Sequence, residues 1–437
     1  MQVDTLISSR WIIPVAPAGL ILENHALAIR DGKIVGLLPT DQALEKYQAT
    51  RTEKLEHHAL IPGLINSHTH SPMSFLRGIA DDLPLMEWLQ GTIWPLEQKW
   101  ISEAFVRDGT ELAIAEMLRG GVTCFNDMYF FPEISARLAL QSGIRACIGL
   151  IVLDFPSAWA RDADEYLSKG LVLYDELRNE ALLNPVFAPH APYSVSDDAL
   201  KKIRMYSEEL QLPIHMHVHE TRDEIEQGLA KTGVRPLQRL KQLDLLGPSF
   251  IAVHMTQLID EEIDWIAETG CHVVHCPESN LKLASGFCPV SRLLNNGINV
   301  ALGTDSAASN NNLDVLGEMR TAALLAKGVA GDASAVPAST ALRMATLDGA
   351  RALGIDSRCG SLEVGKSADI TAITLDTLET LPVYDPVSQI VYSANRDQVT
   401  DVWVAGRQLL RSRTLTTLDP DKIRESIAHW SVKLHHS

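Results

Sequence analysis

The sequence has little that would place the chain in a membrane or on a nucleic acid. No run of apolar residues is long enough to span a bilayer, and the opening stretch MQVDTLISSR lacks the pattern of a secretory signal. Basic residues number 38 against 55 acidic ones, which gives a formal net charge of −17. This acidic balance argues against a phosphate backbone as a partner. We therefore expect a cytoplasmic protein that acts on a small molecule.

Cysteine is scarce and forms no recognisable pattern. The six cysteines include no CxxC pair, and their spacing predicts no disulfide framework, so we expect buried thiols in a reducing compartment. A G-x-G-x-x-G fingerprint is also missing after the early strands. Its absence argues against an open sheet that binds a dinucleotide.

Both ends of the chain are predicted to be rich in strands, whereas the middle is predicted to alternate strands with helices. Short strands with turns are predicted in ALAIRDGKIVGLLP near the start and in GSLEVGKSADITAITL near the end. We interpret the two ends as one small composite β-sandwich domain. The predicted division therefore assigns residues 1–58 and 359–437 to the sandwich and residues 59–358 to a catalytic domain.

The middle of the chain alternates strands with helices. Apolar strand-like runs are predicted at residues 59–66, 122–128, 144–153, 185–189, 212–218, 250–254, 272–275 and 299–302. Eight such units separated by helical patterns predict an α/β fold, the (β/α)₈ TIM barrel. Since the carboxyl ends of barrel strands meet at one mouth, polar residues at those ends are candidates for a shared site.

The first predicted strand ends in two alternating histidines. His68 and His70 are two residues apart, so their side chains share a face and can both bind one metal ion. A solvated strand end is the plainer reading of this pattern. The apolar strand before it and the helix start after it favour a metal site.

Three histidines alternate along the fifth predicted strand. Burying His215, His217 and His219 on one face would be costly unless each had a polar partner. One of them is expected to bind metal, and another to be satisfied in the core or beside the ligands. We choose His217 as the ligand because Glu220 then follows three residues later and can turn back over the site.

Further candidates end three other strands. His254 ends the sixth strand, His190 ends the fourth, and Asp305 follows the eighth. A helix N-cap is the plainer reading of Asp305. With histidines at the other strand ends, we predict instead that it is a metal ligand and a proton acceptor. The fourth strand holds no lysine to bridge two metals, so we expect one divalent ion, with zinc the first choice.

The remaining histidines carry less information. His272 and His275 near the seventh strand are interpreted as packing or supporting residues. We expect surface positions outside the barrel for His25, His57, His58, His429, His435 and His436.

In this order, the motifs PGLINSHTH, HMHVHE, VH at residues 253–254 and LGTDS resemble the amidohydrolase superfamily. IRDGKIV near the start and GSLEVGKSADI near the end resemble its β-sandwich signatures, so the resemblance covers nearly the whole chain. Within the superfamily, the chain is similar to the 5′-methylthioadenosine/S-adenosylhomocysteine deaminases. The stretches that carry this similarity are SPMSFLRGIADDLPLMEWLQGTIWPLEQKW, NDMYF and HCPESNLKLASG.

The resemblance implies roles that the residues alone would not indicate. Glu97 would hold the ribose hydroxyls, Trp88 would line the nucleoside pocket, and His190 would contact the nucleoside. Without the family, Trp88 and Glu97 are simply residues of an amphipathic helix and its end. Family members often carry an arginine in the third-strand region that meets the amino-acid tail of S-adenosylhomocysteine. This chain departs from that pattern, because its region VLDFPSAWARDADEY offers only Arg161 as an equivalent. Methylthioadenosine or adenosine is therefore a safer expectation than the longer substrate.

The predicted reaction is hydrolytic deamination of an adenosine-type nucleoside to its inosine analogue and ammonia. The metal ion, bound by His68, His70, His217 and Asp305, makes hydroxide available at neutral pH. Asp305 takes the proton of the water, and His254 steadies the attacking group. Glu220, held protonated in a dry pocket, donates to the purine N1.

Other functions fit the same pattern less well. Guanine or cytosine deaminases and triazine hydrolases share the scaffold, so a different substrate is the first alternative. A non-catalytic scaffold protein is the second, and the full set of ligand residues argues against it. The acidic balance and the lack of a basic stripe disfavour nucleic-acid binding. A homodimer is expected only because twofold symmetry is common among oligomers.

Overall fold

The computed structural model describes residues 1–435 and contains two sheets of eight strands. His436, for which a surface position is predicted, lies outside the described residues. In chain order the strands are β1 (Gln2–Ile12), β2 (Leu22–Arg30), β3 (Lys33–Pro39), β4 (Gln48–Pro62), β5 (Leu64–Thr69), β6 (Val122–Asp127), β7 (Arg145–Val152), β8 (Leu183–Pro189), β9 (Ile214–Val218), β10 (Phe250–His254), β11 (His272–His275), β12 (Val300–Leu302), β13 (Ile370–Thr374), β14 (Val399–Val404), β15 (Arg407–Arg411) and β16 (Thr414–Leu415).

The first sheet joins the two ends of the chain. Its strand order is β16-β15-β14-β13-β4-β1-β2-β3, with β4 parallel to β1 and antiparallel to β13. The predicted second domain, built from both termini, is thereby confirmed. Its assigned bounds, 1–58 and 359–437, stay a prediction.

The boundary between the sheets lies inside one apolar run. Residues 59–62, predicted as the start of the first barrel strand, belong to β4 and pair with β13. The run continues as β5 after Gly63, where an added Cβ would lie 2.0 Å from Oγ1 of Thr123. Because both strands are buried and apolar here, the hydrophobic pattern carries no signal of the break.

The second sheet is the predicted barrel. Strands β5 to β12 are parallel and neighbour one another in chain order. The last strand returns to the first: Asp305 N donates to His68 O at 3.0 Å, and Thr304 N donates to Asn66 Oδ1 at 2.9 Å. Glycine is required at 303 because an added Cβ would lie 2.8 Å from His68 N. The closure thus brings the ends of strands one and eight together.

Helices follow the barrel strands and complete the fold. In chain order they are α1 (Thr40–Lys46), α2 (Leu85–Trp88), α3 (Trp94–Trp100), α4 (Glu103–Arg119), α5 (Pro132–Ser142), α6 (Ala163–Leu177), α7 (Asp197–Leu210), α8 (Arg222–Thr232), α9 (Pro236–Gln242), α10 (Asp260–Thr269), α11 (Pro277–Lys282), α12 (Val290–Asn295), α13 (Val315–Ala330), α14 (Ala338–Met344), α15 (Leu347–Ala352), α16 (Pro386–Tyr392) and α17 (Pro420–His435). Short 3₁₀ segments lie at Ser71–Leu76 and Arg396–Gln398. None of the helices within residues 1–435 is long and apolar enough to cross a membrane.

Helices α2, α3 and α17 lie outside the alternation of barrel strands and helices. α2 and α3 are joined by a π-helical turn, Leu89–Ile93, and these three segments line the cavity at the mouth. α17 packs on α4, where the Trp430 ring lies 5.1 Å from that of Phe105 and its Nε1 donates to Asp108 Oδ2 at 2.9 Å. The mouth is therefore roofed by the segment between β5 and β6.

Candidate active site

Four predicted metal ligands meet at the carboxyl ends of the barrel strands. His68, His70, His217 and Asp305 each offer one ligand atom, and these atoms all lie within 4.8 Å of one another. Nε2 of His68 is 3.1 Å from Nε2 of His217, and Oδ1 of Asp305 is 3.3 Å from Nε2 of both His68 and His70. The structure therefore brings strands one, five and eight to one point.

Hydrogen bonds on the far side of each ring orient the imidazoles. Nδ1 of His70 donates to Met128 O at 2.5 Å, and Nδ1 of His217 donates to His190 O at 2.8 Å. Because a carbonyl only accepts, both rings carry their proton on Nδ1 and present the Nε2 lone pair to the cluster. The two rings are thus oriented as metal ligands.

His68 is held by a second histidine rather than by a carbonyl. Its Nδ1 lies 2.8 Å from Nε2 of His215, whose Nδ1 lies 3.0 Å from Nδ2 of Asn126. His215 therefore supports His68, a candidate ligand, which is one of the roles left open for the alternating histidines. His219 points away from the cluster: Leu237 N donates to its Nε2 at 3.1 Å.

The carboxylate of Asp305 is fixed by two hydroxyl groups. Its Oδ2 accepts from Ser279 Oγ at 2.6 Å and from Ser309 Oγ at 2.8 Å, which leaves Oδ1 to face the imidazoles. The backbone at Asp305 has a φ of 61°, a left-handed conformation that is rare outside glycine and common at functional sites.

The charge state of the cluster suits a cation. Burial lowers the pKa of His68 to about 4 and the pKa of His217 well below its usual value, so both rings are neutral. Burial raises the pKa of Asp305, but the imidazoles of His68 and His70 outweigh it, and the carboxyl stays ionised. Burial lowers the pKa of His70, but the Asp305 carboxylate, 3.3 Å from its Nε2, outweighs burial and raises it. Three imidazoles and one carboxylate are donors that zinc accepts, so the residues present fit a divalent metal ion.

Glu220 and His254 form a second pair beside the ligands. Oε2 of Glu220 lies 3.8 Å from Nε2 of His254, and Nδ1 of His254 is 2.9 Å from Oδ1 of Asn280. Burial raises the pKa of Glu220, which favours the protonated acid. The Glu224 carboxylate accepts from the backbone N–H groups of His219 and Glu220 at 3.0 and 2.7 Å. These bonds hold the turn that directs Glu220 over the site.

The cluster opens into a cavity that contains most of the predicted substrate-binding residues. Trp88, Glu97 and His190 line it together with Glu220. Glu97 accepts from Tyr129 Oη at 2.7 Å, and burial raises its pKa to about 7. Burial lowers the pKa of His190 to about 3, so its ring is neutral.

Arg161 is not part of this cavity. Its side chain is 82% exposed, and its Nε donates to Glu165 Oε2 at 2.7 Å. The residue begins the turn before α6, outside the wall formed by β7 and the roof helices. The structure therefore does not bring the predicted tail-binding arginine to the other site residues.

The sequence did not predict the residues that form hydrogen bonds to Asp305, His254 and Glu97. Ser279, Asn280 and Ser309 contact Asp305 or His254, and Tyr129 contacts Glu97. The stretches HCPESN and NDMYF contain three of them and served only as marks of resemblance. The available signal was the run of short polar residues directly after β11 and β12, where a barrel places its site.

A closed eight-stranded barrel with a His/His/His/Asp cluster at its strand ends defines a metal-dependent hydrolase. A model of the amidohydrolase family matches residues 59–409. The chain belongs to this family, as the motifs predicted.

Full-length relatives agree with this assignment. A protein of Saccharophagus degradans named 5-methylthioadenosine/S-adenosylhomocysteine deaminase is 50% identical, with 99% of this chain and 97% of that protein covered. The solved structure of an adenosine deaminase from Xanthomonas campestris with bound zinc is also 50% identical, covers 100% of this chain and 99% of its own, and superposes with a TM-score of 0.99. The predicted enzyme class, a hydrolase acting on C–N bonds, is confirmed.

A more distant structure shows how widely the fold is shared. An atrazine chlorohydrolase from Arthrobacter aurescens, complexed with zinc, is 22% identical, covers 98% of this chain and 100% of its own, and has a TM-score of 0.92. At that identity the likeness concerns the fold alone.

Proposed function

We propose that this chain hydrolyses the exocyclic amine of an adenosine-type nucleoside, with 5′-methylthioadenosine as its substrate. The observation that carries the proposal is one cavity that joins the His/Asp cluster, the buried acid Glu220 and the Glu97–Tyr129 pair. Full-length relatives at 49 and 50% identity carry the name of this deaminase. Their names confirm the predicted class of reaction and favour a small-molecule partner.

His68, His70, His217 and Asp305 would hold one divalent ion, which we propose is zinc, as in the Xanthomonas structure. When bound, such an ion supplies a nucleophile at neutral pH by lowering the pKa of a water molecule to about 7. The four residues would offer three imidazole nitrogens and one carboxylate oxygen to the ion.

Asp305 acts as the proton carrier in this proposal. Its ionised carboxylate takes the proton of the attacking water and later delivers it to the departing amine. Ser279 and Ser309 hold the carboxylate in the orientation that both transfers need. His254, fixed by Asn280, steadies the attacking oxygen.

Glu220 acts as the general acid. The attack on C6 places negative charge on the purine ring, and a proton from Glu220 to N1 neutralises it. When ammonia leaves, the C6 hydroxyl becomes a carbonyl and its proton returns to Glu220. Burial raises the pKa of Glu220, which favours the protonated form that can deliver this proton. The contacts of Glu224 with the backbone of His219 and Glu220 keep the acid over the cavity.

The remaining roles follow from the lining of the cavity. Glu97 would accept the ribose hydroxyls, while Trp88 and His190 would contact the nucleoside. The cytoplasmic location of the protein and its assembly as a homodimer stay predictions.

A panel of substrates tests the proposal. Ammonia release is measured with methylthioadenosine, adenosine, guanine, cytosine and a chlorotriazine, using the zinc-loaded protein and a Glu220→Gln control. Turnover of the two adenosine compounds alone supports the proposal. Turnover of only guanine, cytosine or the triazine contradicts it. A folded protein that takes up no zinc and releases no ammonia from any substrate supports a scaffold function instead.

A further inference from the structure

A second cavity, which shares no lining residue with the one at the barrel mouth, is rich in arginine. It lies where α4, α17 and the turn between β15 and β16 meet. Five of its twelve lining residues are arginines from five separate segments of the chain, namely Arg77, Arg119, Arg396, Arg413 and Arg424. The whole chain, in contrast, has a formal net charge of −17. The fold therefore gathers positive charge at one place on an acidic protein.

The acidic residues at this second cavity do not balance its arginines. The lining includes two acids, Glu116 and Asp397. The five arginines therefore exceed the lining acids by three charges. Glu116 is shared, because it binds both Arg77 and Arg396. Arg424 binds Asp421, an acid outside the lining, at 2.8 Å, and counting this acid as well leaves an excess of two positive charges.

Arg119, at the end of α4, has no carboxylate partner within residues 1–435. The hydrogen bond that its guanidinium makes there runs from Nη1 to Arg413 O, at 3.1 Å. A guanidinium has five N–H donors, so four of those of Arg119 are left for a ligand. The side chain is exposed, so a ligand has only to replace water around these donors.

Arg413 is anchored beside Arg119 by the backbone of a neighbouring segment. Its Nη1 donates to the carbonyls of Arg396 and Val399, both at 2.7 Å, and its Nη2 donates to Asp397 Oδ1 at 3.2 Å. Burial lowers the pKa of Arg413, and the positive charge of Arg119 lowers it further. The two guanidinium groups thus repel each other at fixed positions, and an anion bound to both would relieve this repulsion.

We propose that this second cavity is a binding site for a phosphate group, either inorganic phosphate or the phosphomonoester of a small molecule. Arg119 is the principal ligand, and Arg413 is the anchored one. Planar guanidinium groups bind phosphate oxygens in pairs. A phosphomonoester carries about 1.5 to 2 negative charges at pH 7, which matches the excess of two positive charges better than a single carboxylate does. The site takes no part in the deaminase reaction.

Isothermal titration calorimetry of the zinc-loaded protein with inorganic phosphate and with glycerol 3-phosphate tests the site. Sodium chloride keeps the ionic strength constant, because salt alone screens exposed arginines. We expect saturable binding of at least one of the two probes with a Kd on the order of 1 mM or tighter. An ester that binds about tenfold tighter than phosphate identifies a phosphomonoester as the ligand, and any smaller difference identifies inorganic phosphate. The absence of saturable binding of both probes overturns the proposal.

Substitutions of Arg119 separate this site from the metal cluster, where a phosphate would also meet a cation. Arg119→Gln should raise the Kd at least about tenfold, and Arg119→Glu should abolish the binding, because each removes the unpaired guanidinium. Since Arg119 is exposed, neither change disturbs the core. Arg107→Gln, an exposed position on the same helix α4 but outside the cavity, should leave the Kd within about threefold. Binding to Arg119→Gln as tight as to the wild type overturns the assignment, and so does an equal loss in Arg107→Gln.

Discussion

Nε2 of His68 lies 3.1 Å from Nε2 of His217, although 149 residues separate the two in the chain. Two imidazole lone pairs at this distance repel unless a proton or a cation lies between them. We therefore expect the purified protein to contain about one equivalent of divalent metal, with zinc as the restoring ion after chelation. Metal analysis and activity before and after treatment with a chelator measure this.

His68→Ala tests whether the bound metal depends on the proposed ligands. The variant should lose both metal and activity, while the exposed His57→Ala control should keep both. A metal-free protein with full deaminase activity would contradict the assignment of the ligands.

The cluster of His68, His70, His217 and Asp305 was predictable because the positions of its members on the strands follow simple geometric rules. Alternation places His68 and His70 on one face of a strand, and parallel barrel strands direct their ends to one mouth. The choice of His217 over its neighbours came from the position of Glu220. These arguments use only the strands and not the loops. The order of the strands and the position of the cluster could therefore both be predicted from the alternation of strands and helices.

The supporting residues were not predictable in the same way. Ser279 and Asn280 lie on α11, a helix of six residues, and Ser309 lies in the loop after β12. Short polar segments have no periodicity, so only the folded loops show which hydroxyl reaches Asp305. The position of Arg161 outside the cavity was unpredictable for a similar reason. It lies in a loop, where no regular alternation determines which way a side chain points.

Ser279→Ala should weaken catalysis without disturbing the fold. The substitution removes the 2.6 Å hydrogen bond to Asp305 Oδ2 and leaves the one from Ser309. Partners behind a metal ligand typically contribute about 10–100-fold, so we expect roughly a tenfold lower kcat/KM and weaker zinc binding. Competition with a chelating dye measures the affinity. The exposed Ser334→Ala serves as control, and an unchanged zinc affinity in Ser279→Ala would count against a positioning role.

Glu220→Gln should lower kcat far more than it changes KM. The amide keeps the size of the side chain but cannot deliver a proton, and general acid catalysis contributes roughly 10²–10⁴-fold. Steady-state kinetics with methylthioadenosine measure both constants. Glu226→Gln, an exposed position on the same helix α8 that carries Glu224, is the matched control. A loss below about threefold would remove Glu220 from the mechanism.

The affinity for ribosides should rise as the pH rises through about 7. Burial raises the pKa of Glu97 to about 7, so the carboxyl is largely protonated below this pH and ionised above it. The ionised form offers more acceptor positions to the 2′ and 3′ hydroxyls, so KM should fall with increasing pH. Glu97→Gln should remove this dependence. With 2′,3′-dideoxyadenosine the wild-type enzyme should lack it, and an equal pH dependence for both substrates would assign the titration to another group.

Arg145 and Asp369 join the barrel to the first sheet, and breaking the pair should destabilise the protein strongly. Nε of Arg145, at the start of β7, lies 2.8 Å from Oδ2 of Asp369, and both side chains are buried. Arg145→Met leaves the carboxylate buried without its partner, which typically costs about 3–5 kcal/mol. Denaturant unfolding of the zinc-loaded protein measures the change. Arg10→Met, which removes only the exposed pair with Glu23, should have little effect. Equal losses in the two variants would show that the buried pair adds no more to stability than a surface pair does.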